Sequence, residues 1–353
     1  MSSIGVRLVV VYFQIFVVNG KPQVPCYFIF GDSLVDSGNN NQLQTTVKSD
    51  YPPYGTDFSE GVTGRFTNGR TVADIIGELL GFDEYIPTYA TVTDQHISQG
   101  VNYASGGSGI REETGSHMGD RISFDKQLLN HRWIVLRLFE LQQNTTYTRE
   151  HLSKCIYIVN TGSNDYINNY LKPTFYATSH IYTTNGHYAK ILLKQYSRQL
   201  KVQISIFDLG ARKIAVFGLG LIGCSPAEIS IFGTEGKPCV DSINKAVKQF
   251  NNKIKPVIDE LNDHNPDAKF TFINVTNIAS QPGAGLTNIP SCILRTDGQC
   301  AEMTITSPVR TMSMYFDGYH PIEVVNIHTA KMAYNAVSTM DASPYDISHL
   351  VRL

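Results

Sequence analysis

The chain has 353 residues, 42% hydrophobic and 17% charged, a composition that builds a large core and excludes disordered or fibrous classes. Twenty-nine basic and thirty-one acidic side chains leave a formal charge of −2, so nothing points to nucleic acid or an anionic membrane surface as partner.

The N-terminus reads as a targeting segment. "MSSIGVR" carries one positive charge, "LVVVYFQIFVV" is apolar, and "VVNG" ends in small or turn-forming residues. The apolar stretch is shorter than the ~20 residues a bilayer span needs and suits a secretory signal. The expectation is a signal peptide over 1–20, cleaved after Gly20, and a secreted, extracellular mature chain with no transmembrane segment.

Five short runs then read as strands: "VPCYFIF" (24–30), "GVNYA" (100–104), "CIYIVN" (155–160), "KIAVFGL" (213–219) and "KFTFINV" (269–275). Most are continuously apolar, as strands covered on both faces are. Helical spacing lies between them. "TVADIIGELLGF" has Gly81 as its stop, and "FDKQLLNHRWIVLRLFELQ" (124–142), 189–211 and 242–263 are longer amphipathic stretches. A last helix is expected over 323–337. Alternation of this kind predicts an α/β fold, a doubly wound, mostly parallel five-stranded sheet flanked by helices. No repeat, low-complexity tract or charged linker divides it, so 21–353 is read as a single domain.

The six cysteines fit an exported protein, and none has zinc-ligand spacing, so no metal is expected. Sequence order favours Cys224–Cys239 and Cys292–Cys300 as local bridges, while Cys26 and Cys155 can pair only if their strands are neighbours. Fifteen connectivities are possible. Asn144 and Asn274 each open a glycosylation sequon.

In doubly wound sheets ligands bind beyond the carboxyl ends of the strands. After the first strand comes Gly31-Asp32-Ser33-Leu34, after the second "SGGSG" with Gly106, Gly107 and Gly109, and after the third "GSND" with Asn164. "FDGYHP" sets Asp317 and His320 three residues apart before the last helix. Taken singly, each reads more readily as turn or loop than as a site. Together they supply a complete chemistry. Ser33 needs a base to become nucleophilic, His320 can be that base, and Asp317 can orient its imidazole. The Ser33 N–H, a glycine N–H and the Asn164 amide can hold an oxyanion, each donor typically worth ~10²–10³ in rate. Asp32 and Asp165 are expected to orient loops rather than transfer protons.

Here the sequence resembles a family, the plant-type GDSL esterases/lipases of the SGNH hydrolase superfamily, over essentially the whole mature chain. The resemblance is carried by "FGDSLVDSGNNN", "YPPYGTDF", "TGRFTNGR", "GVNYASGGSGI", "TGSNDYINNY", "GARKIAVFGLGLIGCSP" and "FDGYHP". It implies a flavodoxin-like three-layer sandwich, with Ser33, Asp317 and His320 catalytic. It also implies an oxyanion hole of Ser33, Gly107 and Asn164, a lipid or other acyl ester as substrate, and no cofactor. Phe316, Ile322 and Leu221 depart from the family's usual residues.

The rival readings are fewer. Gly218, Gly220 and Gly223 form a G-x-G-x-x-G after a strand with Asp241 downstream, but Pro226, Gly233, Gly236 and Pro238 break the helix that a dinucleotide needs. No G-x-S-x-G or H-E-x-x-H occurs. His131 and His328 are read as structural. A binding protein on a hydrolase fold, and an acyltransferase using the same residues, stay open.

Overall fold

Four of the apolar runs form the parallel part of the sheet. In a computed structural model, which describes residues 21–201, 210–280 and 286–353, they are β1 (Tyr27–Gly31), β2 (Ile156–Asn160), β3 (Lys213–Phe217) and β4 (Lys269–Ile273). Neighbours pair in chain order, with Gly31 opposite Asn160 and Phe217 opposite Ile273. The expected signal peptide, 1–20, lies outside the described residues.

One expected strand is corrected. "GVNYA" is not a regular strand: it runs outside β1 and forms an isolated parallel bridge from Asn102 to Ile29. It is nevertheless held to that edge, Ile29 N–H donating to Val101 O at 3.1 Å and Tyr103 N–H to Ile29 O at 2.8 Å. The Asn102 side-chain amide donates to Val35 O (2.7 Å), which ties the edge to the loop after β1, while its backbone forms a second isolated bridge, to Thr88. The fifth strand is β5 (Ala342–Ser343), antiparallel to β4. With 100–104 on the outside, the chain leaves β1 first to one side and then to the other. That reversal lies between β1 and β2, where such sheets bind ligands.

Both faces are covered. On one lie α1 (Val72–Leu80) and, from the C-terminal region, the helix Glu323–Tyr334, packed against Tyr27, Ile29, Ile156 and Ile158. The Thr71 hydroxyl and the Asp74 carboxylate close a capping box on α1, and Gly81 ends it in the left-handed conformation. The other face carries α2 (Phe124–Gln142), α3 (Thr145–Lys154), α4 (Asn185–Lys201) and, after α5 (Pro226–Phe232), α6 (Asp241–His264). Glu323–Tyr334 is α7 in this numbering. The expected helix over 189–211 is thus described to Lys201, and 202–209 lie outside the described residues.

Disulfides join Cys26–Cys155, Cys224–Cys239 and Cys292–Cys300. The first follows from the register: Tyr27 pairs with Ile156, so the residues preceding them stand side by side. Among the described residues, no helix is long and apolar enough to cross a membrane.

Candidate active site

Gly31 ends β1 because nothing larger fits: a Cβ there would stand 2.3 Å from Asn160 O on the neighbouring strand. Gln127 of α2, fully buried, grips the same residue twice, accepting from Gly31 N–H (2.9 Å) and donating to Gly31 O (2.8 Å). The chain then turns. Val35 and Asp36 N–H both donate to Asp32 O, which leaves Ser33 at the head of the turn, and its N–H has no acceptor among the described residues.

Ser33 Oγ lies 2.7 Å from His320 Nε2, and His320 Nδ1 lies 2.8 Å and 2.9 Å from the two Asp317 oxygens. Residue separation along the chain is 287, so the contact is made by the fold and not by local sequence. Asp317 is fully buried and accepts the Tyr319 and His320 N–H groups, each at 2.8 Å, which fixes the turn carrying the imidazole. The Phe66 ring packs 5.0 Å from the imidazole. These contacts match the geometry in which a base removes a hydroxyl proton while a carboxylate orients it.

Gly107 and Asn164 line the same cavity as Ser33 and His320. Gly107 has φ +79°, which aims its N–H in a way an L side chain resists, and that N–H has no acceptor among the described residues. Asn164 Nδ2 donates to Ser108 O at 2.9 Å and its Oδ1 accepts from Asn168 at 2.7 Å, leaving one amide hydrogen free. The cavity is about 710 Å³, with Leu34, Ile167, Leu221 and Ile222 among its apolar walls.

Several residues that hold this arrangement were not singled out from sequence. Tyr54 Oη donates to Asp317 Oδ2 at 2.7 Å and accepts from Cys300 N–H at 3.1 Å. It stands in "YPPYGTDF", where a Tyr beside two prolines gives no sign of its partner. Asp36 accepts Gly38 and Asn39 N–H at 2.8 Å and Gly106 N–H at 3.0 Å. Asn39 and Asn40 donate across to Ala104 O (2.8 Å) and Gly106 O (3.0 Å). The polar run after Ser33 is therefore a clamp on the glycine loop.

Asp165 accepts Ile110 and Arg111 N–H, and burial pushes its carboxyl up to about 6. Burial takes Asp32 to about 7, opposed by the Leu34 N–H and by His320, and its Oδ2 has no hydrogen-bond partner among the described residues. His131 is buried among Phe28, Phe30 and Tyr103, and that burial lowers its imidazole to about 3. Phe316 lies outside the cavity wall, its ring 5.5 Å from Tyr54, whereas Leu221 is part of that wall.

The glycines of "VFGLGLIG" make no phosphate cradle. Gly218 N–H donates to Ile273 O, and the Leu219 and Gly223 N–H groups to Asn251 and Asn244 of α6. Asp241 pairs with Lys237. The one grouping of metal-ligand types among the described residues is Cys26, Cys155 and His151. Its sulfurs are joined to each other and His151 bonds Ser98 O, so the donor set does not suit a metal.

Residues 27–332 match the family model described as GDSL-like lipase/acylhydrolase. The chain belongs to this family. It is 46% identical to the GDSL esterase/lipase At1g29670 of Arabidopsis thaliana over 97% of this chain and 95% of that one. It is 42% identical to GDSL esterase/lipase At5g45670 of the same plant over 100% and 99%. As a GDSL enzyme it is a carboxylic ester hydrolase, and the resemblance read from its motifs holds over nearly the full chain. Its doubly wound sheet is the one expected, apart from the exchange of 100–104 for β5.

Proposed function

We propose that this GDSL enzyme is a secreted serine esterase/lipase that works through an acyl-enzyme on Ser33. A signal peptide over 1–20 precedes one catalytic domain, 21–353. The observation that carries this reading is the 2.7 Å contact of Ser33 Oγ with His320 Nε2, with Asp317 on the opposite ring nitrogen.

His320 takes the Ser33 proton as Oγ attacks the ester carbonyl carbon. The carbonyl oxygen, now an anion, accepts hydrogen bonds from Ser33 N–H, Gly107 N–H and the Asn164 amide. Collapse breaks the bond to the alkoxy oxygen, and His320 returns its proton to the departing alcohol. A water then gives a proton to His320 and attacks the acyl carbon; the bond to Ser33 Oγ breaks, His320 passes that proton to Oγ, and the acid leaves. The substrate is a lipid or other acyl ester whose chain the apolar cavity walls can cover. Asn144, exposed at the N-cap of α3, and Asn274, partly buried after β4, are the glycan acceptors of this reading.

The test is hydrolysis of an acyl-ester series by the wild type, Ser33→Ala and His320→Ala, with a serine-reactive phosphonate as label. Activity lost in both variants, and label on Ser33 alone, is the expected result. A folded wild type inactive on every ester would overturn it, and acyl transfer to an added polyol in place of acid release would reassign the second half-reaction.

A further inference from the structure

The cavity around Ser33 is unlike at its two ends. Leu221, Ile222 and Val275, from the chain after β3 and β4, make one end apolar. His117 and Lys172 line the same cavity from the chain that follows the edge segment 100–104 and β2. Their two segments are clamped together. Gly115 N–H donates to Asn168 O at 3.2 Å, and His117 N–H donates to Tyr176 Oη at 3.2 Å. The His117 ring stacks on Phe175 at 4.6 Å, and Lys172 O accepts the Phe175 and Tyr176 N–H groups. Both oxyanion donors are tied to this clamp. Gly115 packs on Gly107 O too closely to admit a Cβ, and Asn168 donates to Asn164 at 2.7 Å.

Lys172 is half-buried in this wall, and its ammonium makes no hydrogen bond or ion pair among the described residues. The acid whose field reaches it is Glu228, which makes no hydrogen bond to it. Burial pushes Glu228 up to about 7, so at about pH 6 it is mostly neutral. Burial, with the positive charges of Lys172 and Arg121, holds the His117 imidazole below its usual range, which keeps it a neutral group. With Tyr176 Oη donating to its Nδ1 across 2.9 Å, Nε2 carries the hydrogen and has no partner among the described residues. A half-buried cation beside a neutral N–H donor is a fit for an oxyacid anion. We propose that Lys172, with His117 beside it, forms a subsite for an anionic group, a carboxylate or a phosphate, carried on the alcohol portion of the ester. The proposal rests on the ester-hydrolase reading above. The apolar end suits the acyl chain and leaves the end bearing Lys172 to the alcohol. An acyl chain laid along Lys172 would desolvate its ammonium with nothing to pair it, whereas an anion there supplies the partner.

The test uses the full mature chain at about pH 6 and soluble hexanoyl esters that differ only in the alcohol: ethanol, glycolate and glycol phosphate. Monoethyl adipate, with its carboxylate on the acyl chain, is the control. The wild type is expected to turn over the glycolate or the phosphate ester with kcat/KM roughly tenfold or more above ethyl hexanoate, mainly through KM. Which of the two is preferred tells carboxylate from phosphate. Lys172→Met, which keeps an unbranched side chain and removes the charge, should abolish that ratio, while Lys172→Arg keeps part of it. Added salt should shrink it in the wild type. Labelling of Ser33 by a phosphonate in each variant shows that the site is folded. A ratio near one in the wild type, a ratio unchanged in Lys172→Met, or a preference for monoethyl adipate would each overturn the proposal. Failure of the ester-hydrolase reading is seen separately, as no turnover of ethyl hexanoate.

Discussion

The Tyr54 hydroxyl donates to Asp317 Oδ2 at 2.7 Å, on the carboxylate that also holds His320 Nδ1. Tyr54 is buried, and that burial, together with the negative Asp317 beside it, holds its phenol well above the usual range, so it stays a donor. A hydrogen bond to a charged group contributes about 1.5–3 kcal/mol. Tyr54→Phe keeps the ring against Phe66 and Phe316 and removes only this bond and the acceptor for Cys300 N–H. Since 1.4 kcal/mol is a factor of ten, kcat on a soluble ester is expected to fall roughly tenfold, with KM little changed. A lower melting temperature with unaltered kcat would make the bond structural only.

Asn164→Ala and Gly107→Ala probe the oxyanion donors separately. Asn164→Ala deletes a donor that cannot be replaced locally, and kcat is expected to fall by ~10²–10³. Asn168→Ala removes only the group that orients Asn164, so its loss of kcat should be smaller. Gly107→Ala keeps the N–H but strains a left-handed backbone and places a Cβ 3.2 Å from Met118 Cε. Its kcat should drop with a measurable loss of stability. Steady-state kinetics with thermal melts separate the three, and equal kcat in all of them would remove the oxyanion assignment.

Much of this was legible in the sequence, for identifiable reasons. The strands β1 to β4 are short continuous apolar runs, and α2 matches its 3.6-residue period from Phe124 to Gln142. β5 was not legible, because two residues beside a proline carry no pattern, and 100–104 failed as a strand because its pairing is confined to isolated bridges at Asn102, to Ile29 and to Thr88. Ser33 stood out by residue type at a strand end, and Asp317 with His320 by type and spacing before the last helix. Tyr54, Gln127 and Asp36 did not, since each acts through a partner 70 or more positions away.

The disulfides differ in what they restrain. Cys26–Cys155 spans 129 residues and joins the starts of β1 and β2, whereas Cys292–Cys300 spans 8. In the chain-entropy account, removing the first costs ~3–5 kcal/mol and the second less. Replacing both cysteines of a pair by Ala should therefore lower the urea midpoint most for Cys26–Cys155. The Cys292–Cys300 pair should instead show in kcat, because Cys300 N–H is bonded to the Tyr54 oxygen that reaches Asp317. Midpoints in the reverse order, or no effect of the small loop on kcat, would contradict this division.

Glu228 gives a pH dependence that can be read apart from the Ser33–His320–Asp317 contacts. It is buried on α5, neither of its carboxylate oxygens has a hydrogen-bond partner among the described residues, and burial pushes it up to about 7, opposed by Lys172. The unfolded carboxyl titrates near 4.5, so between about 4.5 and 7 the unfolded state binds fewer protons than the folded one. Stability therefore falls as pH rises through that window. The penalty is absent below it and complete above it, on the order of 3 kcal/mol. Glu228→Gln removes the ionisation. Asp32, Asp36 and Asp165, also raised by burial, are present in both proteins and cancel in the difference. Urea unfolding at about pH 4, 5.5 and 7.5 should show the variant gaining on the wild type at each step upward. A difference independent of pH would mean that Glu228 already has a partner for its charge. A gain on the acid side would reverse the sign of the argument.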